Sequence, residues 1–203
     1  LRNSWDFWVY PAKKEPVSGV ENIRVVQKLD AQTAQFLKNG GSVLLNLKKG
    51  TLLKEMGGDI KIGFSSIFWN TAWTQGQAPH TLGILCNPKH PALADFPTEY
   101  HSNYQWWDAM SHSGAINISS FPAEIKPIVR VIDDWVTNRP LALIFEAKVG
   151  KGKVLVSGID LTSDADSRPE AQQLLFSLKK YMAGPQFNPK SILNWDKLKE
   201  LTD

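Results

Sequence analysis

The sequence predicts an α/β domain: a parallel sheet with helices on its faces, extended by antiparallel strands from its second half. Three observations carry that prediction. Residues 23–47 read as strand, helix, Gly-Gly and buried strand, a βαβ unit. Residues 141–159 read as two strands joined by Gly150-Lys151-Gly152, a hairpin with a short glycine loop. Residues 169–183 place Ala171, Leu174, Leu175, Leu178 and Met182 on one helical stripe.

Taken in order, residues 5–10 are aromatic and β-branched, are closed by Pro11, and read as a strand. Residues 23–26 form a second strand. Asp30 can cap a helix whose apolar positions Leu29, Thr33, Phe36 and Leu37 share a face. Asn39-Gly40-Gly41 stops it, and the apolar run 42–47 follows. Near-continuous apolar strands suggest a parallel sheet covered on both faces. Residues 81–86 read as another buried strand, ended by Asn87-Pro88, and 91–96 as one short helix. Residues 100–107 read as extended or helical, with the extended reading preferred, 115–118 as a short strand and 125–135 as a longer one. Ser167 with Glu170 spells a capping box, Pro169 suits the first turn of the last long helix, and Gly184 ends it. The division expected is one domain over 1–184 and a polar tail over 185–203, with a short helix near 195–201.

Composition limits the function. A length of 203 residues fits one domain, and 42% hydrophobic with 21% charged residues is an ordinary globular balance. The net charge of +3 comes from 23 basic and 20 acidic residues, dispersed apart from short pairs such as Lys13-Lys14, which gives no footing for nucleic-acid binding. No apolar run reaches the ~20 residues of a membrane span. The single cysteine excludes an internal disulfide and a multi-cysteine metal site. The chain opens at Leu1, without Met or a leader pattern, and reads as a fragment of a longer polypeptide.

Catalytic patterns fail on spacing. Cys86 has Ile84 and Pro88 where a nucleophile elbow needs small residues, so it reads as a buried structural cysteine. Asp133 and Asp134 are adjacent on a strand and should face opposite ways, so they cannot converge on one substrate atom. Asp95, Glu99, Asp108, Glu124, Glu146 and Asp160 offer no spacing that nominates a pair. His80, His90, His101 and His112 lie about ten residues apart, without a metal-binding pattern. The glycine turns lack a phosphate-cradling motif, so no cofactor is expected.

The stretch 64–110 is the one candidate site. It holds four of the eight tryptophans and three of the four histidines. A long aromatic loop of this kind needs a contact to sustain it. Trp69, Asn70, Trp73, Gln75, His101, Gln105, Trp106, Trp107 and Asp108 carry ring faces and hydrogen-bonding groups suited to a sugar or to a domain interface. Core packing under the loop is the third reading, and sequence alone leaves all three open.

The phrases NSWDFWVYP, LKNGGSVLLNL, FWNTAWTQGQAPHTLGIL, HPALADFPTEYHSNYQWWDAM, IVRVIDDWVTNRPLALIFEAKVGKGKVLVSGIDL and RPEAQQLLFSLKKYM, spread over 5–182, resemble the C-terminal region of family 2 glycoside hydrolase-type proteins. These are β-galactosidase-like, sugar-binding-domain proteins of Bacteroides-like bacteria. The resemblance implies a flavodoxin-like, class I glutamine-amidotransferase-like three-layer sandwich, mostly parallel with an antiparallel extension. It also implies a non-catalytic accessory domain for interface or assembly, in a parent that degrades carbohydrate in the periplasm or at the cell surface. A carbohydrate-binding module using the Trp-rich stretch is the alternative. The expected partners are the catalytic and β-sandwich domains of the same polypeptide, then carbohydrate or a second copy of the chain; neither nucleic acid nor a membrane span is expected. The active amidotransferase relatives use a Cys at a Gly-rich elbow and a distal His-x-Glu, and this chain has neither. The glycosidase acids belong to a separate barrel of roughly 250 residues, so no catalytic residue carries over.

Overall fold

A computed structural model describes residues 1–12, 16–64 and 73–203. Its elements are β1 (Ile23–Val26), α1 (Ala31–Lys38), β2 (Ser42–Asn46), β3 (Thr81–Cys86), α2 (Trp106–Ser111), β4 (Ile116–Asn117), β5 (Pro127–Asp133), β6 (Leu141–Val149), β7 (Gly152–Ser157), α3 (Pro169–Ala183) and α4 (Trp195–Lys199). The strands form one sheet in the order β1-β2-β7-β6-β5-β3, and β4 pairs with β6 beside that path.

The βαβ unit forms as the sequence predicts. The Asp30 carboxylate accepts the Thr33 N–H at 2.7 Å, capping α1. Gly40, at φ 92°, turns the chain after α1. β1 and β2 then pair in parallel, and so do β2 and β7.

The rest of the sheet overturns the expectation of a mostly parallel, flavodoxin-like sandwich. β7–β6, β6–β5, β5–β3 and β6–β4 are all antiparallel, so the sheet is mixed and mostly antiparallel. The cause is connection length. A parallel partner needs a crossover of a dozen or more residues, usually a helix. β5, β6 and β7 follow one another through short loops, and among the described residues between β2 and β5 the one α-helix is the six-residue α2. The continuous apolar run at the start of β6 reflects cover on both faces, which an antiparallel central strand has as well. Leu143 and Ile144 join the core on the α3 side, while Ala142 and Phe145 join the core on the α1 and α4 side.

The two cores divide β2 in the same way. Leu44 packs with Leu174, Leu178 and Trp106 on one face, and Val43 and Leu45 pack with Leu37 and Leu198 on the other. The α3 stripe is placed as the sequence predicts: Ala171, Leu174, Leu178 and Met182 are buried, and Leu175 is partly buried against the same core. Its start differs. Arg168 is the N-cap residue, with no side-chain cap, and the Ser167 hydroxyl donates to the Asp164 carbonyl. A 3-10 turn over Ala165–Ser167 runs into the helix and moves Ser167 out of capping position, while Pro169 keeps the first-turn place.

Three further local readings are corrected. Residues 5–10 are in no strand; the segment is tied down where the Tyr10 hydroxyl donates to Gln105 Oε1. Residues 106–107 open a helix, because Trp106, Ala109 and Met110 follow the three- and four-residue spacing of a buried helical stripe. β5 ends at Asp133, and the turn after it uses both aspartates. Asp133 accepts Arg139 Nε at 2.8 Å and NH2 at 2.9 Å, and Asp134 Oδ1 accepts the N–H groups of Val136 and Thr137 at 2.9 and 3.0 Å. That pairing holds the Arg139 guanidinium even more firmly protonated than usual. No helix among the described residues is long and apolar enough to cross a membrane.

Candidate functional site

The fold splits the aromatic stretch into an inward and an outward set. α2 makes the division, since a helix turns about a quarter-circle between neighbours. Trp106 points inward and is fully buried. Its indole N–H donates to Thr98 Oγ1 at 2.7 Å, and its ring meets Phe96 edge-on at 5.1 Å between centroids. Gln105 is buried as well, donating to the Pro97 carbonyl at 2.9 Å. Asp108 receives a forked pair from Arg168, with Nε at 3.0 Å from both carboxylate oxygens and NH2 at 2.9 Å from Oδ2. Arg168 is itself buried, and its NH1 donates to the carbonyls of Asp160 and Ser163. Asp108 also presents its backbone carbonyl to His112 Nδ1 at 2.9 Å. Asp108 therefore holds α2 to the start of α3, while Gln105 and Trp106 hold it to residues 96–98.

The outward set is different. Trp107 is 57% exposed and stacks on Phe64 at 5.5 Å with an 11° interplanar angle. Trp73 is 64% exposed and meets Trp135 edge-on at 5.9 Å. Gln75 sits at φ 55° in an exposed turn. His101 is exposed, bridges backbone to Leu85 on the edge strand β3, and has Nδ1 3.5 Å from the Glu99 carboxylate. Trp69 and Asn70 lie outside the described residues. Phe64 and Trp135 are the partner rings of these two pairs, and neither is among the candidates the sequence nominates. Trp135 follows a strand that reads as apolar, and its exposure depends on where β5 ends.

A second feature lies near the same edge of the sheet. A cleft of about 580 Å³ is lined by Leu85 and Cys86 from β3, Ile128 and Arg130 from β5, Glu146 from β6, His90, and Lys190 from the C-terminal tail, among others. Leu85 and Arg130 face each other across the β3–β5 ladder. At the cleft the Tyr181 hydroxyl donates to Glu146 Oε2 at 2.7 Å, and burial pushes the Glu146 carboxyl above its ordinary range. His90 Nδ1 accepts the Ala92 N–H at 3.2 Å, which leaves Nε2 to carry the ring proton, and burial keeps this imidazole neutral to lower pH than usual. Its ring meets Tyr181 edge-on at 5.5 Å.

Cys86 also lines this cleft, but its chemistry is structural. It is buried, Sγ donates to the Glu99 carbonyl at 3.2 Å, and burial pushes the thiol up, away from the reactive thiolate. Among the described residues no group of three or more His, Cys, Asp or Glu side chains could hold a metal ion.

The fold and surface thus define a mixed α/β domain with two exposed aromatic pairs and a separate charged cleft. The chain belongs to a family described as a domain of unknown function (DUF8487), whose model matches residues 24–203. No curated protein matches it.

Proposed function

We propose that this chain is a non-catalytic accessory domain of a larger, β-galactosidase-like glycoside hydrolase acting in carbohydrate degradation. Its aromatic face docks onto the catalytic and β-sandwich domains of the same polypeptide. The supporting observation is the outward set itself: Trp73, Trp107 and Trp135 each keep more than half of their surface in water. Tryptophan is a costly residue to leave wet, and clusters of exposed aromatic rings are typical of protein contact surfaces. None of these three rings lines the cleft at β3, β5 and β6, and Trp73 and Trp107 each pack against a second aromatic ring. Exposed rings in pairs suit a protein partner better than a single sugar ring. A periplasmic or cell-surface parent is the setting that this reading implies.

The test uses the parent polypeptide divided into this chain and the remaining domains. Co-elution of the two pieces should be lost in a Trp107→Ser/Trp135→Ser double variant whose melting temperature stays close to the original. Undiminished co-elution would refute the docking face. Tryptophan fluorescence against millimolar galactosides and plant glycans covers the alternative of a carbohydrate-binding module: a saturable shift lost in Trp73→Ser or Trp107→Ser would favour that module.

A further inference from the structure

The cleft beside β3, β5 and β6 has a charge arrangement that packing does not require. Lys126, Arg130 and Lys190 line it, and none has an ion-pair partner among the described residues. Three unpaired cations around one concavity raise the local concentration of anions. Glu146 lines the same cleft with one carboxylate oxygen occupied by Tyr181; Oε1 accepts no hydrogen bond from the described residues. Glu124 is the other acid in the lining. A bare inorganic anion would be repelled by these carboxylates. A ligand carrying an anionic group at one end and hydroxyl donors at the other satisfies both sets of groups.

We infer that this cleft binds a small hydroxylated anion, a uronate or a sulfated monosaccharide. Its acidic group lies against Lys126, Arg130 and Lys190, and a hydroxyl donates to Glu146 Oε1. The cavity of about 580 Å³ accommodates a mono- or disaccharide. Leu85 and Tyr100, both substantially exposed, supply apolar surface for the sugar's C–H face. The site does not depend on the docking reading: it shares no residue with the aromatic face.

Isothermal titration of the full chain with galacturonate, galactose 6-sulfate, galactose and inorganic sulfate tests this. At least one of the two anionic sugars should bind about tenfold more tightly than both galactose and inorganic sulfate, as expected for one charge-assisted contact combined with hydroxyl recognition. Which of the two binds identifies the acidic group. Lys126→Gln/Arg130→Gln should reduce that affinity toward the level of galactose while the melting temperature holds, since both side chains are exposed. Glu146→Gln should weaken the sugar but leave inorganic sulfate unchanged or improved. Galactose or inorganic sulfate binding as well as the anionic sugars, or no effect of the cation variants, would overturn the assignment, as would the absence of heat with all four.

Discussion

Trp106 and Trp107 are neighbours in sequence and opposites in structure. The first is sealed between α2, Phe96 and Thr98, and the second lies on the surface against Phe64. The same contrast runs through the whole aromatic stretch. Gln105, Trp106 and Asp108 maintain the fold, whereas Trp73 and Trp107 stay largely exposed. Residue chemistry suited to ligand recognition is therefore no guide by itself, because buried Gln, Trp and Asp need the same hydrogen-bonding partners that a ligand would supply.

Substitutions that cross this divide should give unequal results. Trp106→Ala should cost about 3–5 kcal/mol in urea unfolding, through the cavity it leaves against Phe96. A cost below about 1 kcal/mol would mean that α2 is not anchored by this ring. Arg168→Ala should follow at about 3 kcal/mol, because it strands the partly buried Asp108 and two backbone carbonyls. Asp108→Asn should cost less, since the amide oxygen can still accept from the guanidinium; equal costs would mean that the charge, and not the hydrogen bonds, carries the interaction.

The third expectation is a pH dependence at the cleft. The folded state holds the Glu146 proton more tightly than the unfolded chain does, so this group's contribution to stability is full below about pH 4.5 and falls as pH rises toward its raised folded value. Glu146→Gln should remove that fall, seen as a flatter curve of melting temperature against pH. His90 acts with the opposite sign: its depressed folded value adds stability above about pH 6.5 that is lost as pH falls. His90→Asn should therefore flatten the other side of the curve. The smallest effect belongs to Trp107→Ala, at less than about 1 kcal/mol, with the helix intact by circular dichroism. A larger loss would place this ring with the structural set.

Much of the fold was legible from local chemistry. Asp30 ahead of an apolar helical stripe, the Gly40 stop, the β6–β7 hairpin and the α3 stripe all depend on neighbours a few residues away, and each is where the sequence places it. The capping box was misread because a 3-10 turn, equally local, competes for Ser167. The direction of the remaining strands was beyond reach, since a continuous apolar run reports burial on two faces and not the sense of the partner strand. The cleft was equally hidden: Leu85, Lys126, Glu146 and Lys190 are far apart in the chain, and only the β3–β5–β6 pairings and the returning tail bring them together.

By itself, then, the sequence determined that 64–110 is rich in rings and polar groups, and that no catalytic spacing lies within it. Tertiary structure decided which of those rings meet water. A single residue step along α2 rotates Trp106 into the core and Trp107 out of it, and an alternation of that kind depends on what packs against the helix, which no single stretch of chain encodes.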